Sequence, residues 1–193
     1  EAARRRGYRY LAITDHSKRV TIAHGLDARR LSRQIDEIAR INETLAGFIV
    51  LAGIEVDILP DGGLDLPDGI LRRLDIVIGA VHSAFDLPRD RQTDRLIRAM
   101  DNRHLSLIAH ATGRLLNARA PPELDFERLF AAAQERGCGL EINGQPDRLD
   151  LTDWHARLAR EMGVKLALST DAHNTTELDF MRYAVDQARR GWL

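Results

Sequence analysis

The sequence predicts an α/β protein built on a parallel sheet that curves toward a barrel, and three observations predict it. Short apolar runs alternate with amphipathic stretches of helical period along the 193 residues. Repeated strand-then-helix units imply parallel strands. Six such units with continuous apolar strands suit barrel-like closure better than an open sheet.

The elements follow in order. Glu1 to Arg6 reads as a helix ended by Gly7, and Tyr10 to Ile13 as a buried strand. A helix is expected from about Ala28 to Ala46, capped by Asp27, striped by Leu31, Ile35, Ile38 and Leu45, and stopped by Gly47. Phe48 to Val56 is the next strand, followed by a tight turn at Asp61-Gly62-Gly63. Leu74 to Val81 is a strand. Arg91 to Asn102 is a helix with Leu96, Ile97 and Met100 inward, and Leu105 to Ala109 is a strand. Asp125 caps a helix to Arg136 that lines up Phe126, Leu129, Phe130 and Ala133, before a strand from Gly139 to Ile142. Thr152 caps a helix to Met162, stopped by Gly163; Lys165 to Ser169 is the sixth strand. A last helix carries Leu178, Met181, Val185 and Ala188 and ends near Gly191.

Composition narrows the class. The chain is 44% hydrophobic and 30% charged with net charge −1, enough for one ordinary core and unlike collagen, low-complexity or disordered sequence. The balanced charge argues against a uniformly basic nucleic-acid binder, while leaving open a site that meets phosphate through metal ions. No apolar run approaches the ~20 residues of a membrane span, and Glu1-Ala2-Ala3-Arg4-Arg5-Arg6 is too polar for a signal peptide. Cys138 is the single cysteine, which forbids an intramolecular disulfide and suits a reducing, cytoplasmic setting. The chain opens on Glu1 rather than Met, and inside a helix, so a fragment of a longer protein is expected, with a strand ahead of that helix. No linker or second domain is visible within residues 1–193.

The chemistry emerges when each strand is read to its carboxyl end. The first ends in Thr14-Asp15-His16, the second in Glu55, the third in His82, the fourth in His110, the fifth in Glu141-Ile142-Asn143 and the sixth in Asp171-Ala172-His173. Glu55, His82 and His110 are 27 and 28 residues apart, near the roughly 30 residues of a strand–helix repeat. In a parallel barrel these ends converge on one face. Neutral imidazoles and hard carboxylates without thiolate suit Zn, Mn or Fe. Two or three such ions can activate water and stabilise the attacking and leaving oxygens in phosphoester hydrolysis. A lone strand-end histidine is an ordinary hydrogen-bonding residue. The recurrence of such residues makes His16, Glu55, His82, His110, Asp171 and His173 the candidate metal ligands.

Other residues keep two readings. Arg114 is either a bidentate partner of a substrate phosphate or a surface ion pair. Asn143 and Glu141 either orient ligands or close the strand end. Lys18 and Arg19 either face an anionic substrate or lie on a solvated loop. His24, His104 and His155 read as structural, Cys138 as a small buried residue, and Arg4, Arg5 and Arg6 as an exposed helix face.

Thr14-Asp15-His16-Ser17, Gly53-Ile54-Glu55, Val81-His82-Ser83, Ala109-His110 and Ser169-Thr170-Asp171-Ala172-His173 together resemble the PHP (polymerase and histidinol phosphatase) family across essentially the whole chain. The run from His110 to Leu116, Leu140-Glu141-Ile142-Asn143 with Arg148-Leu149-Asp150-Leu151, and the ending Arg189-Arg190-Gly191-Trp192-Leu193 are similar to the C-terminal PHP domain of bacterial family X DNA polymerases. The resemblance implies a distorted (β/α)7 TIM-like barrel, here lacking its first strand, and up to three divalent ions, Mn, Zn or Fe. It implies that Glu55, His82 and His110 hold one ion, that Glu55 bridges to a second bound by Asp171, and that His16 and His173 share a third. The family's first-strand H-x-H motif does not occur in this sequence, so the second and third sites are expected to be incomplete. The implied activity is phosphoester hydrolysis at DNA 3′ ends (3′-5′ exonuclease, 3′-phosphatase or abasic-site processing), alongside an upstream polymerase domain of the same chain and with no membrane partner. The alternatives are a stand-alone small-molecule phosphatase of the histidinol-phosphatase type and a non-catalytic structural module.

Overall fold

A computed structural model describes residues 1–193. Six strands form one sheet in chain order: β1 (Tyr10–Ile13), β2 (Ile49–Asp57), β3 (Ile76–Ala80), β4 (Leu107–Ile108), β5 (Gly139–Asn143) and β6 (Leu166–Ser169). All neighbouring pairs are parallel. The connections carry α2 (Ala28–Thr44), α3 (Asp68–Leu71), α4 (Arg89–Ala99), α5 (Phe126–Arg136) and α6 (Asp153–Glu161), with α1 (Ala2–Arg5) before the sheet and α7 (Met181–Arg190) after it. No helix is long and apolar enough to cross a membrane.

The expected helix caps are in place. Asp27 accepts from Arg30 N, Asp125 from Arg128 N and Thr152 from His155 N, each meeting a backbone donor that the first helical turn leaves unpaired.

Register separates the two faces of the sheet. Ile54, Val56, Ile108, Leu140 and Ile142 alternate onto the face that meets Leu31 of α2, Leu96 of α4, Leu129 and Phe130 of α5 and Ala156 of α6, in a single cluster of 28 buried residues. Each fully buried aliphatic side chain there contributes roughly 1.5–3 kcal/mol. The inner face carries Glu55, Asp57, Ile78, Ala80, Glu141, Asn143 and Ser169. Gly53 is fixed by crowding: a Cβ there would stand 2.8 Å from Ile76 Cγ2, 2.9 Å from Thr14 Cγ2 and 3.0 Å from Ile13 O.

Several expectations need correction. The barrel is not closed by backbone hydrogen bonds, because β6 does not pair with β1, and the sheet is a half-barrel. Side chains bridge that opening instead. Ala3, Phe48 and Leu178 pack together, Tyr8 Oη donates to Leu178 O (3.0 Å), and Arg6 makes a two-pronged pair with Asp179 at 2.6 and 2.9 Å. Of the three leading arginines, Arg4 and Arg5 are thus exposed and Arg6 is engaged. The fourth strand is Leu107–Ile108 rather than the five residues from Leu105 to Ala109, and just past its end the backbone turns at His110 (φ 28°). Helix α3 was not expected; four residues are too few to display an apolar stripe. The last helix begins as a tighter 3-10 turn over Glu177–Phe180, and its buried residues are Ala184, Gln187 and Ala188, with Val185 only partly buried.

Arg95 is the least expected core residue. It is 1% exposed, and its guanidinium donates to Leu59 O (2.9 Å), Ser83 O (2.8 Å) and Ile58 O. It thereby ties the end of β2 to the loop that follows His82. Cys138 is 3% exposed, and burial pushes its thiol up to about 12.

Two outcomes follow from these buried groups. Arg95→Leu leaves the Ile58 and Ser83 carbonyls without donors, whereas Leu59 O keeps Gly62 N, so it should cost about 3 kcal/mol and lower the melting temperature by about 6–12 °C in a thermal scan; an unchanged melt would remove Arg95 from the core framework. The Cys138 thiol stays protonated at pH 8, so Ellman's reagent should react with it only after denaturation.

Candidate metal centre

The parallel register runs past the end of β1. Glu55 N donates to Asp15 O and Ser17 N to Glu55 O, both at 2.9 Å, which sets His16 directly beside Glu55. Asp15, one residue earlier, points to the opposite face and accepts from Gln34 of α2 at 2.5 Å. On the next strand Asp57 pairs with Ala80, so the pleat brings His82, two residues on, to the same inner face.

Three imidazoles converge on one carboxylate oxygen. Glu55 Oε1 lies 3.0 Å from His110 Nε2, 3.2 Å from His82 Nε2 and 3.9 Å from His16 Nδ1. His82 packs edge-on against both His16 and His110, with ring centroids 5.1 and 5.6 Å apart. Strict alternation would send His110 outward with Ile108. Its left-handed backbone breaks the alternation and swings the ring inward. His110 N is held by Glu141 Oε2 at 2.7 Å.

The donor set fits a divalent cation. His16 Nδ1 and His82 Nε2 are buried, face Glu55 and have no hydrogen-bond partner, and such orphans mark a missing partner. One ligand atom each from His16, Glu55 and His82 lies within 4.8 Å of the others, so these three can hold an ion.

Electrostatics follow the packing. Burial raises the Glu55 carboxyl, but the His110 and His82 imidazoles outweigh it and hold the group well below the usual carboxylate range. Burial lowers His82, but Asp57 and Glu55 overcome it and raise the imidazole to about 9. His16 is lowered, first by burial and then by His82 and His173, against the pull of Glu55 and Asp171. Burial pushes Glu141 up to about 7, and Ser169 Oγ and Asn143 Nδ2 both donate to it.

Asp171 and His173 stand across from His16. Asp171 accepts from Asn143 Nδ2 at 3.0 Å and lies 3.5 Å from Arg148 Nε. The His173 ring is 6.1 Å from that of His16, is largely exposed, and keeps Nδ1 2.8 Å from Asp171 O. Asn143 thus joins Glu141 to Asp171 as well as ending its strand. Lys18 is exposed and makes no side-chain hydrogen bond or ion pair. Its neighbour Arg19 reaches the site, 3.3 Å from Asp57 Oδ2. Arg114 spends Nε and Nη2 on the carbonyls of Arg148 and Leu149. His24 is an exposed residue ending a 3-10 turn, and His155 stacks on Phe126 at 3.7 Å with Nδ1 2.9 Å from Thr152 Oγ1.

Sequence reasoning missed Asp57 and Arg148. Asp57 is buried and meets His82 Nδ1 at 3.1 Å, the carboxylate–histidine arrangement that orients an imidazole toward a metal. Its signal was present, since a residue two places from Glu55 on a strand shares its face. Arg148 sits on a loop, where no periodicity announces direction.

No family model matches the chain. Curated relatives do. The chain is 46% identical over 192 residues to the DNA polymerase/3′-5′ exonuclease PolX of Bacillus subtilis (strain 168), covering all of this chain and 34% of that protein. It therefore spans about a third of that relative's length. It is 32% identical over 184 residues to a probable phosphatase of Thermoanaerobacter sp. (strain X514), covering 89% of this chain and 69% of that one. A solved structure of histidinol phosphate phosphatase from Lactococcus lactis, complexed with zinc, L-histidinol and phosphate, shares the fold at a TM-score of 0.57 and 14% identity, over 97% of this chain and 84% of that one. With strand-end histidines and carboxylates gathered on one face of a parallel half-barrel, and with similarity to these proteins along 89% or more of this chain, the chain belongs to the PHP family of phosphoesterases.

Proposed function

We propose that residues 1–193 form one divalent-metal-dependent phosphoesterase domain that hydrolyses phosphoesters at DNA 3′ ends, in a protein that also carries a polymerase region. The observation that carries the hydrolase reading is the convergence of three imidazole nitrogens on Glu55 Oε1, two of them buried without partners. The DNA reading rests on the 46% identity with the Bacillus subtilis polymerase/exonuclease across the whole of this chain. The reading of the half-barrel as a (β/α)7 barrel short of its first strand draws support from the outer edges of β1 and β6, which do not pair with each other. Tyr10 and Ile49, on the inner face, are 64% and 57% exposed there.

In this reading His16, Glu55, His82, His110, Asp171 and His173 hold up to three ions, Mn or Zn, with Fe as a further fit for the same donors. A bound divalent ion supplies Lewis acidity toward a phosphoryl oxygen and acidifies water. The chain's own residues do the rest. Glu55 stays ionised and keeps three imidazoles aimed at one point. Asp57 fixes the His82 ring through Nδ1, leaving Nε2 turned to the cluster. Asn143 holds the Asp171 carboxylate in place. Arg19, half-exposed on Asp57, adds positive charge at the rim for an anionic substrate.

A second reading, a small-molecule phosphatase, is favoured by the probable phosphatases, which match 89% of this chain at 32% identity. Substrate panels separate the two. With manganese supplied, 3′-phosphate, 3′-hydroxyl and abasic oligonucleotides should be processed faster than histidinol phosphate; the reverse order selects the second reading.

His82→Ala with His110→Ala should lower turnover by at least about 100-fold, and unchanged turnover would end the metal-hydrolase reading. Asp57→Asn should keep the fold but weaken metal affinity by about 10- to 100-fold, measured by chelator competition.

A further inference from the structure

One guanidinium at the site has a donor with nothing to bind. Arg148 lies on the loop after β5, its side chain only 17% exposed, with Nε 3.5 Å from Asp171 Oδ2. Its Nη1 is buried and has no hydrogen-bond partner. A buried, charged N–H without an acceptor is costly. The other nearby arginines are committed, Arg19 to Asp57, Arg114 to two carbonyls, and Arg119 to Gly113 O while stacked 3.9 Å over Phe85; Lys18 has no partner but stands exposed in solvent.

The loop bearing Arg148 is built to hold it still. Arg148 N and Leu149 N both donate to Gln145 O at 2.9 Å. Arg114 Nε donates to Arg148 O at 2.7 Å and Arg114 Nη2 to Leu149 O. The next residue, Asp150, is fully buried and takes Thr112 N and Oγ1 at 3.0 and 2.7 Å. Thr112 follows His110 by two residues, so the loop is clamped to the strand end that carries a candidate ligand.

We infer that Arg148 is the phosphate-binding residue of this site: its guanidinium edge receives a phosphoryl oxygen of the substrate, and Arg114 is the brace that aims it. The inference rests on the phosphoesterase reading above. It moves the phosphate contact from Arg114, where the sequence offered it, to the residue whose carbonyl Arg114 holds. A planar fork beside an acidic ligand suits a phosphate dianion, because Asp171 and Glu55 alone would repel it.

The test uses inorganic phosphate as the probe, titrated calorimetrically into the manganese-loaded chain, with metal content measured in parallel. Arg148→Ala should weaken phosphate binding by about 10- to 100-fold at unchanged metal content, and Arg148→Lys, which keeps the charge but loses the fork, should fall between. Added guanidinium should restore phosphate binding to Arg148→Ala. Arg114→Ala should weaken binding in the parent chain and add little on top of Arg148→Ala. The proposal is overturned if Arg148→Ala binds phosphate within twofold of the parent, or if it loses metal, which would make Arg148 a support for Asp171 only. A parent chain that takes up manganese and binds no phosphate overturns the phosphoesterase reading itself, a failure seen before any variant is made.

Discussion

Glu55 is ionised where water scarcely reaches, and a charge in that position persists only when donors or cations surround it. Three neighbouring strand ends supply them. His16 comes from the strand on one side, His82 from the strand on the other, and His110 from one strand further on. The arrangement requires parallel strands in chain order, because only then do all carboxyl ends share a face. It also requires register: one residue of slip between β1 and β2 would put Asp15 rather than His16 beside Glu55 and turn the His16 ring away from the cluster, toward the helices. The carboxylate therefore depends on the sheet for its partners.

The support around this point is unevenly local. Asp57 reaches His82 from the same strand as Glu55, whereas Arg95 reaches the loop after His82 from α4, with α4 itself outside the sheet. Glu141 holds the backbone of His110 and accepts from Ser169, so a single buried carboxylate links three successive strands. Proximity to water also differs across the cluster. Glu55 and His110 are nearly sealed, while His173 stands at the open side, where an incoming phosphoester would arrive.

Most of the fold was legible in the sequence because its signals are local. Asp27, Asp125 and Thr152 announce helix starts through side chains that satisfy nearby backbone donors, and all three do so. Strand ends were legible through the recurrence of His, Asp and Glu after apolar runs, and three of those histidines meet around one oxygen of Glu55. What escaped was non-local. Its place at a strand end names His110 as a ligand, but the means is hidden: alternation from Ile108 would face it to the helices, and only the turn in its backbone brings it in. Arg114 allows two readings, a phosphate contact or a surface ion pair, and it spends its donors on the carbonyls of Arg148 and Leu149 instead, because a guanidinium's targets depend on how two distant loops fold together. Nothing within α4 signals the three carbonyls that draw Arg95 inside.

The odd-even split of the strands has a bearing on how such a scaffold changes over generations. Along β2, Ile54 and Val56 are sealed against helices while Glu55 and Asp57 face the cluster; along β5, Leu140 and Ile142 alternate with Glu141 and Asn143 in the same way. Neighbouring positions thus answer to different demands, one set to the integrity of the packed layer and the other to reactivity. Substitutions on the reactive set can explore new substrates without opening holes in the aliphatic layer, and the loops beyond the strand ends add a third, freer set. A half-barrel of this kind can drift between polymeric and small substrates while its hydrophobic half stays almost untouched.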